Sequence, residues 1–176
     1  MTTTVYFDDI QNVICKELLQ AKRSIYVAVA WFTDLLLFET LLKLQEKNVY
    51  IQLIIIDDEI NFKNYSLPFE KLRNSSGSFL AVKNDKMHHK FCIIDEDVVI
   101  TGSYNWTYKA ATGNKNENIQ ISKGHSELTY KFIREFYRIL LQNQEDKIEV
   151  IDEIPVGEIV DKLSKVHRNR SGIPYV

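Results

Sequence analysis

Cysteine is scarce in this chain of 176 residues; Cys15 and Cys92 are the only two. Both fall on the apolar side of a helix-like or strand-like stretch, so they read as reduced core thiols rather than a disulfide staple. Charge of one sign is also lacking. Lys and Arg number 22 against 24 Asp and Glu, a formal net charge of −2. A global basic field is thereby excluded, and affinity for nucleic acid would have to come from a local basic cleft. The apolar runs around Ala28 and Ile54 are too short and too interrupted to span a bilayer. The first nine residues carry neither a basic n-region nor an apolar h-region, so no secretory signal is visible and a cytoplasmic protein is expected. Spacings such as H-E-x-x-H or paired C-x-x-C are missing. Neither a metal nor another cofactor is therefore expected. No internal repeat and no low-complexity segment occurs.

What is present is an ordinary globular composition, 45% apolar and 26% charged. Ile10, Val13, Ile14, Leu18 and Leu19 recur at helical spacing, predicting a helix that starts at Asp8 or Asp9. Residues 24–32 form a β-rich apolar run. Thr33 or Asp34 can cap a following helix built on Leu36, Leu37, Leu41, Leu42 and Leu44. Residues 49–56 are a second buried strand, and the strand–helix–strand order predicts a parallel crossover. Pro68 opens a short helix, residues 75–78 a flexible loop, and residues 79–83 a third strand. A hairpin over 87–101, a strand over 118–122 and an amphipathic helix over 126–141 follow. The expected fold is α/β, a mixed sheet flanked by helices on both faces with the hairpin strands central. Residues 1–143 are assigned to this domain. Residues 144–176 read as a C-terminal appendage of unknown role, with a strand or tether at 148–154, a helical pattern at 156–166 and a basic tail at 167–172.

The densest chemistry lies in His88-His89-Lys90-Phe91-Cys92-Ile93-Ile94-Asp95 and, shortly after it, Gly102-Ser103-Tyr104-Asn105. Two residues separate His88 from Lys90, so on an extended strand both side chains leave one face, while His89 points to the other and reads as structural. The acidic cluster Asp95-Glu96-Asp97 reads as a turn that brings Gly102, Ser103 and Asn105 back beside the start of the first strand. An imidazole, an ammonium, a hydroxyl and a carboxamide gathered this way suit a phosphodiester. Neutral His88 attacks phosphorus, Lys90 neutralises a non-bridging oxygen, and Ser103 and Asn105 donate to the others. Gly102 would let the backbone approach the ligand. Trp31, Phe32, Thr33 and Trp106 could line the cleft, though plain core packing accounts for each as well.

These residues match H-x-K-x4-D-x6-G-S-x-N at every fixed position, and the chain resembles the phospholipase D superfamily on that ground. Asn116-Glu117-Asn118 is similar to the N-x-E-N or S-E-N segment of small bacterial nucleases in that superfamily, which also carry one motif per chain. The resemblance implies that Glu117 orients the His88 ring, that Asp95 supports the motif rather than touching phosphate, and that two subunits share one site. A single motif supplies a nucleophile without a general acid, so a two-fold homodimer in which the second His88 protonates the leaving group is expected.

The leading functional expectation is therefore a metal-independent phosphodiesterase acting through a phosphohistidine, with nucleic acid as partner and DNA favoured over RNA. Lys83, Lys86, Lys109, Lys115 and Lys123 would form a basic rim. An alternative is a hydrolase of an anionic phospholipid such as cardiolipin, although no lipidation site or membrane anchor is visible and no stable membrane association is expected. A catalytically silent binding module is a third reading, disfavoured because both His88 and Lys90 are retained.

Overall fold

The computed structural model describes residues 1–63, 66–74, 76–83, 87–113 and 116–143. In chain order these form β1 (Thr2–Tyr6), α1 (Ile10–Leu18), β2 (Ser24–Val29), α2 (Leu35–Gln45), β3 (Tyr50–Ile56), a short α3 (Glu59–Phe62) and a 3-10 turn (Phe69–Leu72). There follow β4 (Gly77–Val82), β5 (Lys90–Ile94), β6 (Val98–Gly102), a short α4 (Tyr108–Thr112), β7 (Ile119–Lys123) and α5 (Ser126–Gln142).

The strands make one mixed sheet in the order β1-β7-β6-β5-β2-β3-β4. Strands β2, β3 and β4 run parallel to one another, and β5 pairs antiparallel with both β2 and β6. The motif hairpin thus lies in the middle of the sheet, as its apolar strands predict. Period-2 alternation along β2 explains the layering. Ile25, Val27 and Val29 join the core under α1 and α2, with Ile14, Leu37, Phe38 and Leu41. Tyr26, Ala28 and Ala30 face α5, where Ile133, Phe136 and Ile139 close the other side. A strand covered on both faces reads as the continuous apolar run seen in the sequence.

Local signals set the ends of the elements. Asp34 caps α2 by accepting from the Leu37 N–H at 3.1 Å, a contribution of about 1 kcal/mol for such caps. The Asp95 and Glu96 backbones take φ values of 52° and 58°, and the Asp97 N–H donates to the Ile94 carbonyl at 3.0 Å. Two consecutive positive φ angles suit the right-handed twist of a hairpin.

Several expectations need correction. The strand predicted over 24–32 ends at Val29, because Asn61 draws the chain out of the sheet: it accepts from the Phe32 N–H and donates to the carbonyls of Ala30 and Ile56 at 2.7–2.8 Å. Gly77 and Ser78, expected in a loop, open β4 by pairing with Ile51 and Gln52. β1, with an exposed and Thr-rich sequence, has no apolar alternation to read; it is held by backbone pairing to β7, by the Thr3 hydroxyl meeting the Ser122 hydroxyl at 3.1 Å, and by Tyr6 against the core. The expected features at 148–154, 156–166 and 167–172, with the whole of 144–176, lie outside the described residues, as does Ser75.

Candidate active site

The site sits at the sheet end where β2 and β3 finish and β5 begins. Lys90 pairs with Val29 at the end of β2, and Gly102 at the end of β6 pairs with Ile119 at the start of β7. In open α/β sheets the carboxyl ends of parallel strands are the usual place for a ligand crevice.

His88 lies just before β5 and is exposed. The Lys90 ammonium donates to His88 Nδ1 at 3.2 Å and to the His88 carbonyl at 2.9 Å. The two side chains do share a face, while His89 turns to the opposite one and meets Glu135 at 2.9 Å. Trp31 stands edge-on to the His88 ring, centroids 5.3 Å apart, and its ring centre lies 6.0 Å from the Lys90 nitrogen. Partial burial lowers the Lys90 pKa from the ordinary lysine value, and the charge of Glu117 opposes that shift.

Ser103 donates its hydroxyl to Glu117 and accepts from the Asn118 N–H at 3.1 Å. Glu117 therefore enters the site next to Lys90. Its hydrogen-bond partner is Ser103 and not His88, so the orienting contact expected from the resemblance is not made within one chain. Asn105 and Glu117 line a cleft of about 270 Å³ together with Trp31, Thr33, Ile60, Thr107, Lys109 and Ala110. The Asn105 side-chain oxygen Oδ1 and the Tyr104 hydroxyl are buried without a hydrogen-bond partner. Burial also raises the Tyr104 pKa, which keeps the phenol protonated.

Asp95 lies at the far end of the hairpin from His88. Its carboxylate accepts from the backbone N–H groups of Lys22, Arg23 and Ser24 at 2.7–2.9 Å, and the Arg23 guanidinium donates to its carbonyl at 2.6 Å. It ties the hairpin to the start of β2.

Other candidates sit differently from expectation. Phe32 and Trp106 are core residues, 0% and 3% exposed and packed ring to ring; Trp31 and Thr33 do line the cleft. The close approach at Gly102 is to the protein itself: a Cβ there would lie 2.1 Å from the Asn118 carbonyl oxygen. The basic rim is thinner than expected. Lys123 pairs with Val98 at the turn end of β6 and bonds Glu17, and Lys83 reaches Asp57 at 3.9 Å. Lys109 is the rim lysine that lines the cleft, while Lys86 and Lys115 lie outside the described residues. Sequence reasoning missed Asp58, which accepts from the Trp31 indole N–H at 2.7 Å and caps α3. Its place at the end of a parallel strand was the available signal. Asn61, mid-way along an unpredicted single turn, gave none.

A mixed sheet with a His–Lys pair and a Ser–Glu pair at one end defines a phospholipase D-like domain. The family described as "Cardiolipin synthase, PLD-like domain" matches residues 14–140, and the chain belongs to it. Among relatives, it is 33% identical over 127 residues to the mitochondrial cardiolipin hydrolase of Xenopus laevis, covering 70% of this chain and 57% of that protein. It is 33% identical over 113 residues to a phospholipase D of Rickettsia conorii, covering 61% and 53%. The matched region is thus about half the length of these relatives. Among solved structures, Nuc from Salmonella typhimurium superposes with a TM-score of 0.73 at 21% identity, covering 84% of this chain and 99% of that one. NucT from Helicobacter pylori gives 0.67 at 19% identity, covering 79% and 95%.

Proposed function

We propose that this chain is a metal-independent phosphodiesterase, an endonuclease that cleaves DNA through a phosphohistidine in a site shared by two subunits. The observation that carries this reading is the contact of the Lys90 ammonium with His88 at 3.2 Å, beside a cleft that Asn105 and Glu117 line. Charge and donors converge where a phosphodiester needs them. Lys90 turns from His88 to a non-bridging oxygen, and Asn105 donates to another. His88 then forms an N–P bond as the P–O bond to the leaving group breaks. His88 of the partner subunit protonates the departing oxygen, and the same group takes a proton from the water that later cleaves the N–P bond. Ser103 and Glu117, bonded to each other, hold the floor of the site beside Lys90. The single-motif form, which the chain has in common with the small bacterial nucleases it resembles, favours a nucleic-acid substrate, and a lone nucleophile without a general acid favours a dimer.

A second reading, hydrolysis of an anionic phospholipid, is favoured by a different observation. Ile60, which lines the cleft, is 48% exposed; Phe62, two residues on, and Tyr108, between the lining residues Thr107 and Lys109, are 39% and 69% exposed. Apolar side chains at a cleft mouth suit entry of a lipid from a membrane surface, and the relatives named cardiolipin hydrolase point the same way. No helix among the described residues is long and apolar enough to cross a membrane.

One experiment separates the readings. The purified protein and its His88→Ala variant are incubated in excess EDTA with single-stranded DNA, duplex DNA, RNA and cardiolipin vesicles. Cleavage of DNA by the wild type alone is the expected result. Release of phosphatidic acid with every polynucleotide intact would replace the first reading by the second, and activity in His88→Ala would remove the nucleophile.

A further inference from the structure

The segment that carries His88 has little regular structure of its own. β5 begins only at Lys90, and among the described residues the strand-like backbone bond to residues 87–89 is that from the Ala30 N–H to the His89 carbonyl at 2.9 Å. On the cleft side His88 touches two half-buried side chains, Lys90 and the edge of Trp31. The firm hold is on the other side of the sheet. Met87 is buried in the core under α5. The His89 ring packs against Phe91, which packs in turn on Phe132 of α5, with centroids 5.5 and 5.0 Å apart. His89 Nε2 donates to Glu135 Oε1 at 2.9 Å. Arg138 then grips Glu135 with two parallel bonds, Nε to Oε2 at 2.7 Å and Nη2 to Oε1 at 2.6 Å, and reaches Gln142 at 2.7 Å. A bidentate guanidinium–carboxylate pair on a helix fixes the acceptor in direction as well as position.

With His88 read as the nucleophile, as above, we propose that Glu135, clamped by Arg138, is a positioning residue that sets His88 through its neighbour His89. Adjacent residues on an extended segment point to opposite faces. Fixing the His89 ring against α5 therefore fixes the rotation of the backbone from which the His88 ring projects into the site. Because a carboxylate only accepts, the bond also holds the proton on His89 Nε2. A nucleophile displaced by an ångström loses rate more than affinity, since Lys90 and Asn105 still bind the phosphate. Glu135 touches no substrate in this arrangement.

The test uses the full chain with Glu135→Ala and Glu135→Gln, the latter keeping an oxygen that accepts from His89. Hydrolysis of bis(p-nitrophenyl) phosphate is measured at a temperature where circular dichroism shows every variant folded. Imidazole 15N resonances of His88 are recorded on the same samples. In Glu135→Ala, kcat should fall about tenfold with KM within about twofold, and the His88 ring signals should shift or broaden; Glu135→Gln should recover most of both. Wild-type His88 signals in Glu135→Ala would overturn the positioning role, whatever the rates, and so would equal losses in the two variants. An inactive wild type would sink the phosphodiesterase reading instead and leave the His88 spectra to decide the anchor.

Discussion

The Lys90 ammonium and His88 Nδ1 are 3.2 Å apart, and only the lysine can donate in that contact. A neutral His88 ring so engaged carries its proton on Nε2, leaving the Nδ1 lone pair occupied by Lys90. A phosphate that draws Lys90 away frees that nitrogen, so one event charges the binding site and releases the ring. Lys90 must be protonated for this, and its pKa is already lowered by burial, with Glu117 opposing the shift. Removing the negative charge in Glu117→Gln lowers that pKa further. The alkaline limb of the pH–rate profile on a small phosphodiester should therefore move to lower pH in Glu117→Gln. A limb that stays in place would mean that Lys90 does not govern the rate at high pH.

Asp95 offers a stability test. Partial burial raises its pKa, but bonds from the backbone of Ser24, Arg23 and Lys22 outweigh this and hold it below the ordinary aspartate value. The ionised form then contributes its full stabilisation above the unfolded-state pKa and loses it as pH falls through the depressed folded-state value. Asp95→Asn should destabilise the protein by about 1–3 kcal/mol at neutral pH in urea titrations, with the gap to wild type closing as the pH falls below the ordinary aspartate range. A gap that persists in acid would show that the amide itself, rather than lost charge, disrupts the turn.

Much of this fold was legible because its strands are buried and its helices amphipathic. Ser24–Val29 and Tyr50–Ile56 announce themselves by apolar runs, and the hairpin by β-branched strands around an acidic turn. What was not legible depends on contacts between segments far apart in sequence. The exposed β1 exists through its pairing with β7, and the exit of the chain after Val29 depends on Asn61, some thirty positions on. The same divide runs through the site. His88 and Lys90 are brought together by local alternation, whereas the bond between Ser103 and Glu117, the hold of Asp58 on Trp31 and that of Glu135 on His89 each need the tertiary fold. Lys123 misled for the converse reason: near the motif in sequence, it lies at the other end of the strand, four residues and about 13 Å along it.

Gly102 links folding to the site. A Cβ at this position would meet the Asn118 carbonyl oxygen at 2.1 Å and Ile119 Cα at 2.8 Å, backbone atoms that cannot rotate away. Gly102→Ala should push β7 from β6, costing about 1–3 kcal/mol and separating Ser103 from Glu117 and Asn118. Thermal unfolding would show the loss, and activity should fall more than the folded fraction does. Unchanged stability would mean that the strands part without cost and that the close approach is not required.

Asp58 tests whether Trp31 matters as a wall of the cleft. Asp58→Ala removes the acceptor for the indole N–H and the cap of α3 at once, while Asp58→Asn keeps one acceptor oxygen and turns an amide NH2 toward the other donor. The alanine variant should lose about 1 kcal/mol of stability and show a raised KM as Trp31 and Ile60 lose their fixed places beside Asn105; the asparagine variant, able to serve only one of the two donors, should fall between alanine and wild type. Equal KM values in all three proteins would leave Trp31 as packing alone.

Lys109 separates the two candidate substrates most directly. It is exposed, lines the cleft and has no carboxylate partner among the described residues. If the substrate is a polynucleotide, Lys109 contacts a phosphate beyond the one being cleaved, and each such contact releases condensed counterions. Lys109→Ala should then weaken DNA binding by the catalytically silent His88→Ala background and lower the slope of log K against log salt by about 1. A lipid substrate presents its headgroup at a membrane surface instead, where the exposed Ile60, Phe62 and Tyr108 would carry adsorption. In that case the salt slope for DNA would be small and unaffected by Lys109→Ala, and Tyr108→Ser would reduce binding to cardiolipin vesicles. A slope change without any vesicle binding would assign the cleft to nucleic acid.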